Sequence, residues 1–342
     1  MDKRLILAVA GAGKTTYLIK KINEIEKFVI VTYTINNYNS IRDAIIDKFG
    51  YIPKNVKIYT YFTFLYNFCY RPFERNINSK GLIYGKIFEK KAKSSQLSYY
   101  INQKSKKVYA ARLSKLCNDN IIEKVIQRIE KYFQYLYIDE IQDFAAHDFN
   151  FIRSLENCNI DILYVGDYYQ HTFDTSRDGN TNKNIFNSYT QYINKLSNNI
   201  LLLDEKSLIK SRRCTKTICD FIRDKIGIEI YSYEDRESVI KEVKEKDKIE
   251  EIMRNDEIVK LFYKNSSRYI GNTDNWGDCK GKTYKNVCVI LNKHSYELFK
   301  EDKLNELAPI SKNKFYVACT RTRNNLFFIS ETEIEKYKKI DQ

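Results

Sequence analysis

Lys14, Thr15, Asp139 and Glu140 are the side chains in this chain best suited to handling a phosphate chain. The stretch "LILAVAGAGKTT" (5–16) runs from an apolar strand through small residues into a helical pattern. Ala10, Gly11, Ala12 and Gly13 would let backbone N–H groups converge on an anion at the positive end of the following helix. Lys14 would reach the β/γ-phosphates and the Thr15 hydroxyl, beside Thr16, would ligate Mg²⁺. The literal pattern GxxxxGK[ST] wants glycine where Ala8 stands, so this is a P-loop with an altered first position. A second apolar run, "YLYIDEIQD" (135–143), ends in adjacent carboxylates. Asp139 at a strand tip would hold the metal and Glu140 would orient and deprotonate an attacking water, the two jobs that phosphoryl transfer requires.

Elements that could carry these residues follow from the apolar runs. Strand-like segments at 4–9, 27–33, 56–60, 135–139 and 161–166 alternate with helical stretches, the pattern of a parallel sheet covered on both faces. The reading is an α/β chain: a first P-loop lobe from 1–70 and 132–199, a helical basic insertion at 71–131, and a second lobe at 200–342. Strands of the second are expected near 199–203, 227–231, 286–291 and 325–329, and "EDRESVIKEVKEKDKIEEIM" between them reads as a solvated helix. Within the insertion, 86–117 carries nine Lys or Arg against the single acid Glu89. Lys104, Lys106 and Lys107 there are candidate phosphate contacts, and a merely solvated basic face is the alternative.

The segments "VTYTINNYNSIRDAI" (31–45), "YTYFTFLYNF" (59–68), "YVGDYYQHTF" (164–173), "KSRRCTKTICDFI" (210–222), "GDCKGKTYKNVCVIL" (277–291) and "FYVACTRTRNNLFFI" (315–329) follow the P-loop in an order that resembles superfamily 1 helicases of the UvrD/Rep type. The resemblance implies an ATPase with nucleotide between two RecA-like lobes and DNA, in single-stranded form, as its polymer. It assigns Gln170 to sensing the γ-phosphate, Arg213 and Arg321 to arginine fingers, and Gly281 to the nucleotide site. It also places Thr34, Thr60, Phe62 and Phe173 on the nucleic acid. ATP and Mg²⁺ are the implied cofactors.

Departures from that pattern limit what carries over. The segment before Ala8 offers no glutamine to read adenine, so weak discrimination between ATP and GTP is expected. Thr175 and Ser176 follow Phe173 where an arginine-containing run is usual, which weakens base stacking and strand separation. Nucleotide chemistry is therefore expected to be better preserved than unwinding of long duplexes. A second reading, by family analogy, is a nucleotide-controlled subunit that gates a partner nuclease in a phage-defence or mobile-element system.

A net charge of +14 over 342 residues favours a polyanionic partner. Eight cysteines without a CxxC pair argue for reduced thiols rather than a zinc or iron–sulfur site. No uninterrupted span of about 20 apolar residues indicates membrane insertion, and the expected location is cytoplasmic.

Overall fold

The computed structural model describes residues 1–85, 87, 92–172, 180–196 and 200–339. They form two compact units, the first comprising 1–6, 15–166 and 174–204, the second 7–14, 167–173 and 205–342. Phe173, Thr175, Ser176, Lys86, Lys90 and Lys91 lie outside the described residues.

Strands of the first unit are β1 (Lys3–Leu7), β2 (Phe28–Thr32), β3 (Val56–Thr60), β4 (Leu82–Ile83), β5 (Val108–Tyr109), β6 (Tyr135–Asp139), β7 (Asp161–Gly166) and β8 (Leu202–Asp204). Six of them build one sheet in the order β3-β2-β6-β7-β1-β8, while β4 and β5 pair separately. Every residue of β2 is buried, as are Leu136 to Asp139 of β6. Such near-continuous apolar runs are what a parallel strand needs when helices cover both faces of its sheet. In register, Val31 pairs with Ile138 and Asp139 with Val165, so the strand ends that carry polar residues share one edge.

Strand β8 corrects one expectation. Residues 199–203 were assigned to the second lobe, yet Arg4 pairs with Leu202 and Ile6 with Asp204 in the first sheet. The segment is short and its Leu202 is exposed, so sequence alone had no means of choosing its partner. The insertion is also less helical than its rhythm suggests. Its described residues hold a 3-10 segment (Arg71–Ile77), the β4/β5 pair, a one-turn helix (Leu97–Tyr100) and two longer helices, Leu113–Asn120 and Ile122–Tyr132. Leu113, Leu116, Cys117, Val125 and Ile129 are fully buried, so these helices belong to the core of the first unit.

A buried carboxylate in that unit has a pH-dependent consequence. Asp148, in the first turn of helix Ala146–Ser154, accepts a hydrogen bond from Tyr61 (3.0 Å), and burial pushes its carboxyl up from 3.8 to about 6. The folded state holds this proton more tightly than the unfolded chain, so the group's contribution is favourable at low pH and is lost as pH rises from 3.8 through 6. Asp148→Asn is expected to gain stability over the parent at pH 8, by roughly 3 kcal/mol at most from a shift of about two units, with the gain shrinking towards pH 4. Chemical unfolding of both proteins across that range checks the sign. A gain that is constant with pH would exclude this titration as its cause.

The second unit contains β9 (Lys210–Ser211), β10 (Tyr231–Ser232), β11 (Ile240–Glu242), β12 (Ile258–Phe262), β13 (Thr273–Asn275), β14 (Asn286–Leu291) and β15 (Leu326–Ser330). Its main sheet is five parallel strands ordered β11-β15-β14-β12-β13. The strand expected at 227–231 is only the short β10, paired with β9 outside this sheet. The stretch read as one solvated helix contains β11 and a helix at Lys246–Arg254 whose Ile249, Ile252 and Met253 are buried. Strand β12 was not anticipated, because Lys260 interrupts a short apolar run between charged neighbours. The lysine is buried and its Nζ donates to the Asn255 carbonyl at 3.0 Å, which satisfies one donor inside the core.

Candidate nucleotide and nucleic-acid sites

In the second unit, the P-loop residues 7–14 pack with the C-terminal part of the chain. Val9 N–H donates to the Leu208 carbonyl (3.0 Å), Arg212 N–H donates to the Gly11 carbonyl (2.9 Å), and Ala12 N–H closes a turn onto Val9 (3.2 Å). Gly11 and Gly13 have φ of +73° and +87°, the left-handed region that glycine enters without a Cβ penalty. At Gly11 a Cβ would also lie 2.7 Å from both Arg213 Cβ and Ser211 Oγ. Glycine is thus required there twice over, by backbone angle and by space.

Arg213 donates to the Thr320 carbonyl (3.2 Å), and its pKa falls to about 10, chiefly through burial and then through the positive charge of Arg321. The positive charge of Arg321 disfavours the protonated Arg213, whose Cβ packs against Gly11, and a bound anion there would relieve the repulsion. Arg321 itself is 1% exposed and donates to the carbonyls of Val317 (3.0 Å) and Lys282 (3.4 Å) and to Thr320 Oγ1 (3.3 Å). Its guanidinium is thus held by acceptors within residues 282–320 of the second unit. Gly281 has φ +84° and open space around it, so its backbone angle, not packing, is what calls for glycine.

Asp167 and Tyr316 are two site residues that motif spacing did not single out. Ala10 N–H donates to the Tyr316 hydroxyl (2.8 Å), and that hydroxyl donates to Asp167 Oδ2 (3.2 Å). Gln170 Nε2 donates to the same oxygen (2.7 Å), and Tyr169 N–H donates to Oδ1 (3.1 Å). The relay ties the phosphate loop to the segment carrying Gln170, and burial followed by the Asp167 charge raises the Tyr316 pKa well above its ordinary value. Asp167 lies in the quoted VGD run and Tyr316 in FYVAC, but only the fold brings them to Ala10. Tyr316→Phe would strip a buried N–H of its acceptor and Asp167 of a donor, a loss of about 1–3 kcal/mol. Thermal unfolding of the variant is expected to shift down, and an unchanged midpoint would show that the relay contributes nothing.

In the first unit, Thr15 and Thr16 lie in the opening turn of helix Lys14–Lys21, with Thr16 exposed. Asp139 closes β6 and is 3% exposed, while Glu140 adopts φ +55°, ψ +51°. A non-glycine residue in that region costs roughly 1–2 kcal/mol, a strain found preferentially at functional positions. Gln142 Nε2 donates to Glu140 Oε2 (2.5 Å), orienting the carboxylate. Beside it, a Cβ on Gly166 would collide with the Gln142 and Ile141 side chains, so glycine at the end of β7 leaves room for that support. The Thr15 hydroxyl and Asp139 carboxylate are hard oxygen donors of the kind Mg²⁺ takes.

The same ends of β2 and β3 carry the candidate polymer contacts Thr34 and Thr60. Thr34 follows β2 and caps the helix Ile35–Phe49, its hydroxyl accepting from Asn37 N–H (3.2 Å). Thr60 ends β3 and donates to Thr63 (2.8 Å). Phe62 is 40% exposed, with Tyr66 and Tyr84 rings at 6.5 and 6.2 Å. Lys104, Lys106 and Lys107 are exposed on a tight turn closed by Lys106 N–H to the Asn102 carbonyl (2.8 Å).

A family model described as the viral superfamily 1 RNA helicase core domain matches residues 90–330, more than half of the chain. The chain belongs to that family. No curated protein matches this helicase-core chain. Among solved structures, an arterivirus nonstructural protein 10 helicase shares 12% identity at a TM-score of 0.51, with 98% of this chain and 62% of that one covered. A PRRSV helicase shares 14% identity at a TM-score of 0.49, with 99% and 54% covered. The helicase-core chain thus spans less than two thirds of the length of these helicases, and at such identity the likeness is one of fold. Mixed α/β units with parallel sheets are the RecA-like architecture expected from the sequence. The motif resemblance and the family match agree at the level of superfamily 1. Among the described residues no helix is long and apolar enough to cross a membrane.

Proposed function

We propose that this helicase-core chain hydrolyses nucleoside triphosphate with Mg²⁺ and couples turnover to single-stranded nucleic acid. The observation that carries the reading is the cationic pair Arg213 and Arg321 in the unit that holds the glycine phosphate loop, with Arg213 packed against Gly11. In this reading Lys14 and the loop N–H groups grip the β- and γ-phosphates, and Glu140, supported by Gln142, takes the proton from the attacking water. Gln170, held by Asp167, orients that water. Thr15 and Asp139 are the residues that would hold Mg²⁺, which when bound neutralises charge on the phosphate oxygens.

Membership in a family described by RNA helicase cores favours RNA over the DNA expected from motif wording. Thr34, Thr60, Phe62 and the turn lysines are the polymer contacts in this reading, with ATP as the first nucleotide to test. Hydrolysis of ATP and GTP with Mg²⁺, measured alone and with single-stranded RNA or DNA, tests it directly. Stimulation by RNA above DNA is expected. Neutralising Lys104, Lys106 and Lys107 together should flatten the salt dependence of polymer binding by about 0.7 log units per lost phosphate contact. Absence of hydrolysis with either nucleotide under all conditions would overturn the proposal.

A further inference from the structure

Away from the sheet edge that carries Thr34, Thr60 and Asp139, the first unit has an open cavity of about 350 Å³ at the other end of the strands. Lys27 precedes β2, Lys54 and Asn55 precede β3, and Phe133 precedes β6, so the lining comes from the N-terminal ends of three neighbouring parallel strands. Lys57 and Tyr59 add alternate side chains of the edge strand β3, which share a face. Arg128 and Tyr132, one turn apart on helix Ile122–Tyr132, form the opposite wall, and Phe68 lies between.

The charge is one-sided. Lys27, Lys54, Lys57 and Arg128 line the cavity with no acid, and none of the four makes an ion pair among the described residues. The Arg128 guanidinium lies over two rings, 4.8 Å from Phe68 and 4.9 Å from Tyr132, and its buried Nε makes no hydrogen bond. Tyr132 is 42% exposed, which leaves part of its ring surface accessible. Charged donors awaiting an acceptor beside accessible aromatic rings suit a ligand that is at once anionic and planar. A single lysine patch would bind any anion, whereas the rings add a reason to prefer a base-bearing phosphate.

We propose that this cavity binds a nucleotide unit, its phosphate held by Lys54, Lys57 and Arg128 and its base stacked against Tyr132 or Tyr59. The site is separate from the phosphate loop and its occupancy does not depend on hydrolysis. The unit could arrive as a free nucleotide or as one residue of a single strand, and the two probes below separate these sources.

Photocrosslinking with 4-thiouridine 5′-monophosphate and with a 4-thiouridine-containing octanucleotide tests the assignment, with adducts mapped by mass spectrometry. Adducts at Tyr59 or Tyr132 are expected, and the double variant Lys54→Gln/Lys57→Gln should lower their yield about tenfold at fixed probe concentration through the lost phosphate contacts. Both lysines are exposed, so the variant should keep the parental circular dichroism and basal nucleotide turnover. Crosslinking by the monophosphate identifies a free-nucleotide site, and crosslinking by the octanucleotide alone identifies a strand-binding site. Adducts confined to other peptides, or adducts here with unchanged yield in the double variant, would overturn the inference. Arg128→Gln provides a second check on the guanidinium, read by the same adducts.

Discussion

Glu140→Gln is expected to lower the turnover number for nucleotide hydrolysis by about 10²–10⁴-fold, the range associated with a positioned general base, while nucleotide still binds. The substitution keeps side-chain length and the ability to accept from Gln142 Nε2, which lies 2.5 Å from Glu140 Oε2. It removes the basic oxygen and little else, so a folding defect is not the expected outcome. Lys14→Ala should differ in kind. It deletes the cation proposed to grip the β/γ-phosphates, and both nucleotide affinity and turnover should fall. Equilibrium binding of a labelled nucleotide alongside steady-state hydrolysis separates the two cases. Parental hydrolysis by Glu140→Gln would remove Glu140 from the role of base and leave the strained backbone at that residue without a catalytic reason.

Gly11→Ala should damage both stability and nucleotide binding. Its φ of +73° costs an alanine roughly 1–2 kcal/mol. The new methyl would also sit 2.7 Å from Arg213 Cβ and Ser211 Oγ, and such overpacking typically adds about 1–3 kcal/mol. Together these predict a fall in melting temperature of about 4–20 °C, at about 2–4 °C per kcal/mol for a folding unit of about 150–250 residues. Movement of the loop to relieve the clash would misplace its N–H groups, so nucleotide affinity should fall as well. Gly50→Ala is the matching control: φ there is +81° with nothing within 4 Å, so only the backbone term applies. Melting curves of both variants with and without nucleotide check the difference. If the two lose equal stability, the close packing of Gly11 against Arg213 and Ser211 has no energetic consequence.

The local setting of the candidate motifs was legible in the chain because it depends on neighbours in sequence. The residues Gly13-Lys14-Thr15 need only a preceding strand and a following helix, and Asp139-Glu140 need only a strand tip, so both motifs announced their setting. The buried strands β2, β6, β7, β14 and β15 showed themselves as unbroken apolar runs for the same reason. Strand β12 did not, since Lys260 has a satisfied donor only once the Asn255 carbonyl is brought to it. Nor did the pairing of β8 with β1, because three residues with an exposed leucine carry no record of their partner.

Tertiary structure alone decided the contacts between residues distant in the chain. Tyr316 reaches Ala10 and Asp167, Arg213 packs against Gly11, and Lys54 and Arg128 share one cavity. These depend on how sheets stack their connections, and no spacing rule encodes them. Sequence by itself determined the parallel α/β class and which residues are candidates for the phosphate loop and the acid pair. Burial of Arg321, the relay through Tyr316 and the cationic aromatic cavity came only from the fold, because desolvation and close approach are properties of packed neighbours rather than of residue type.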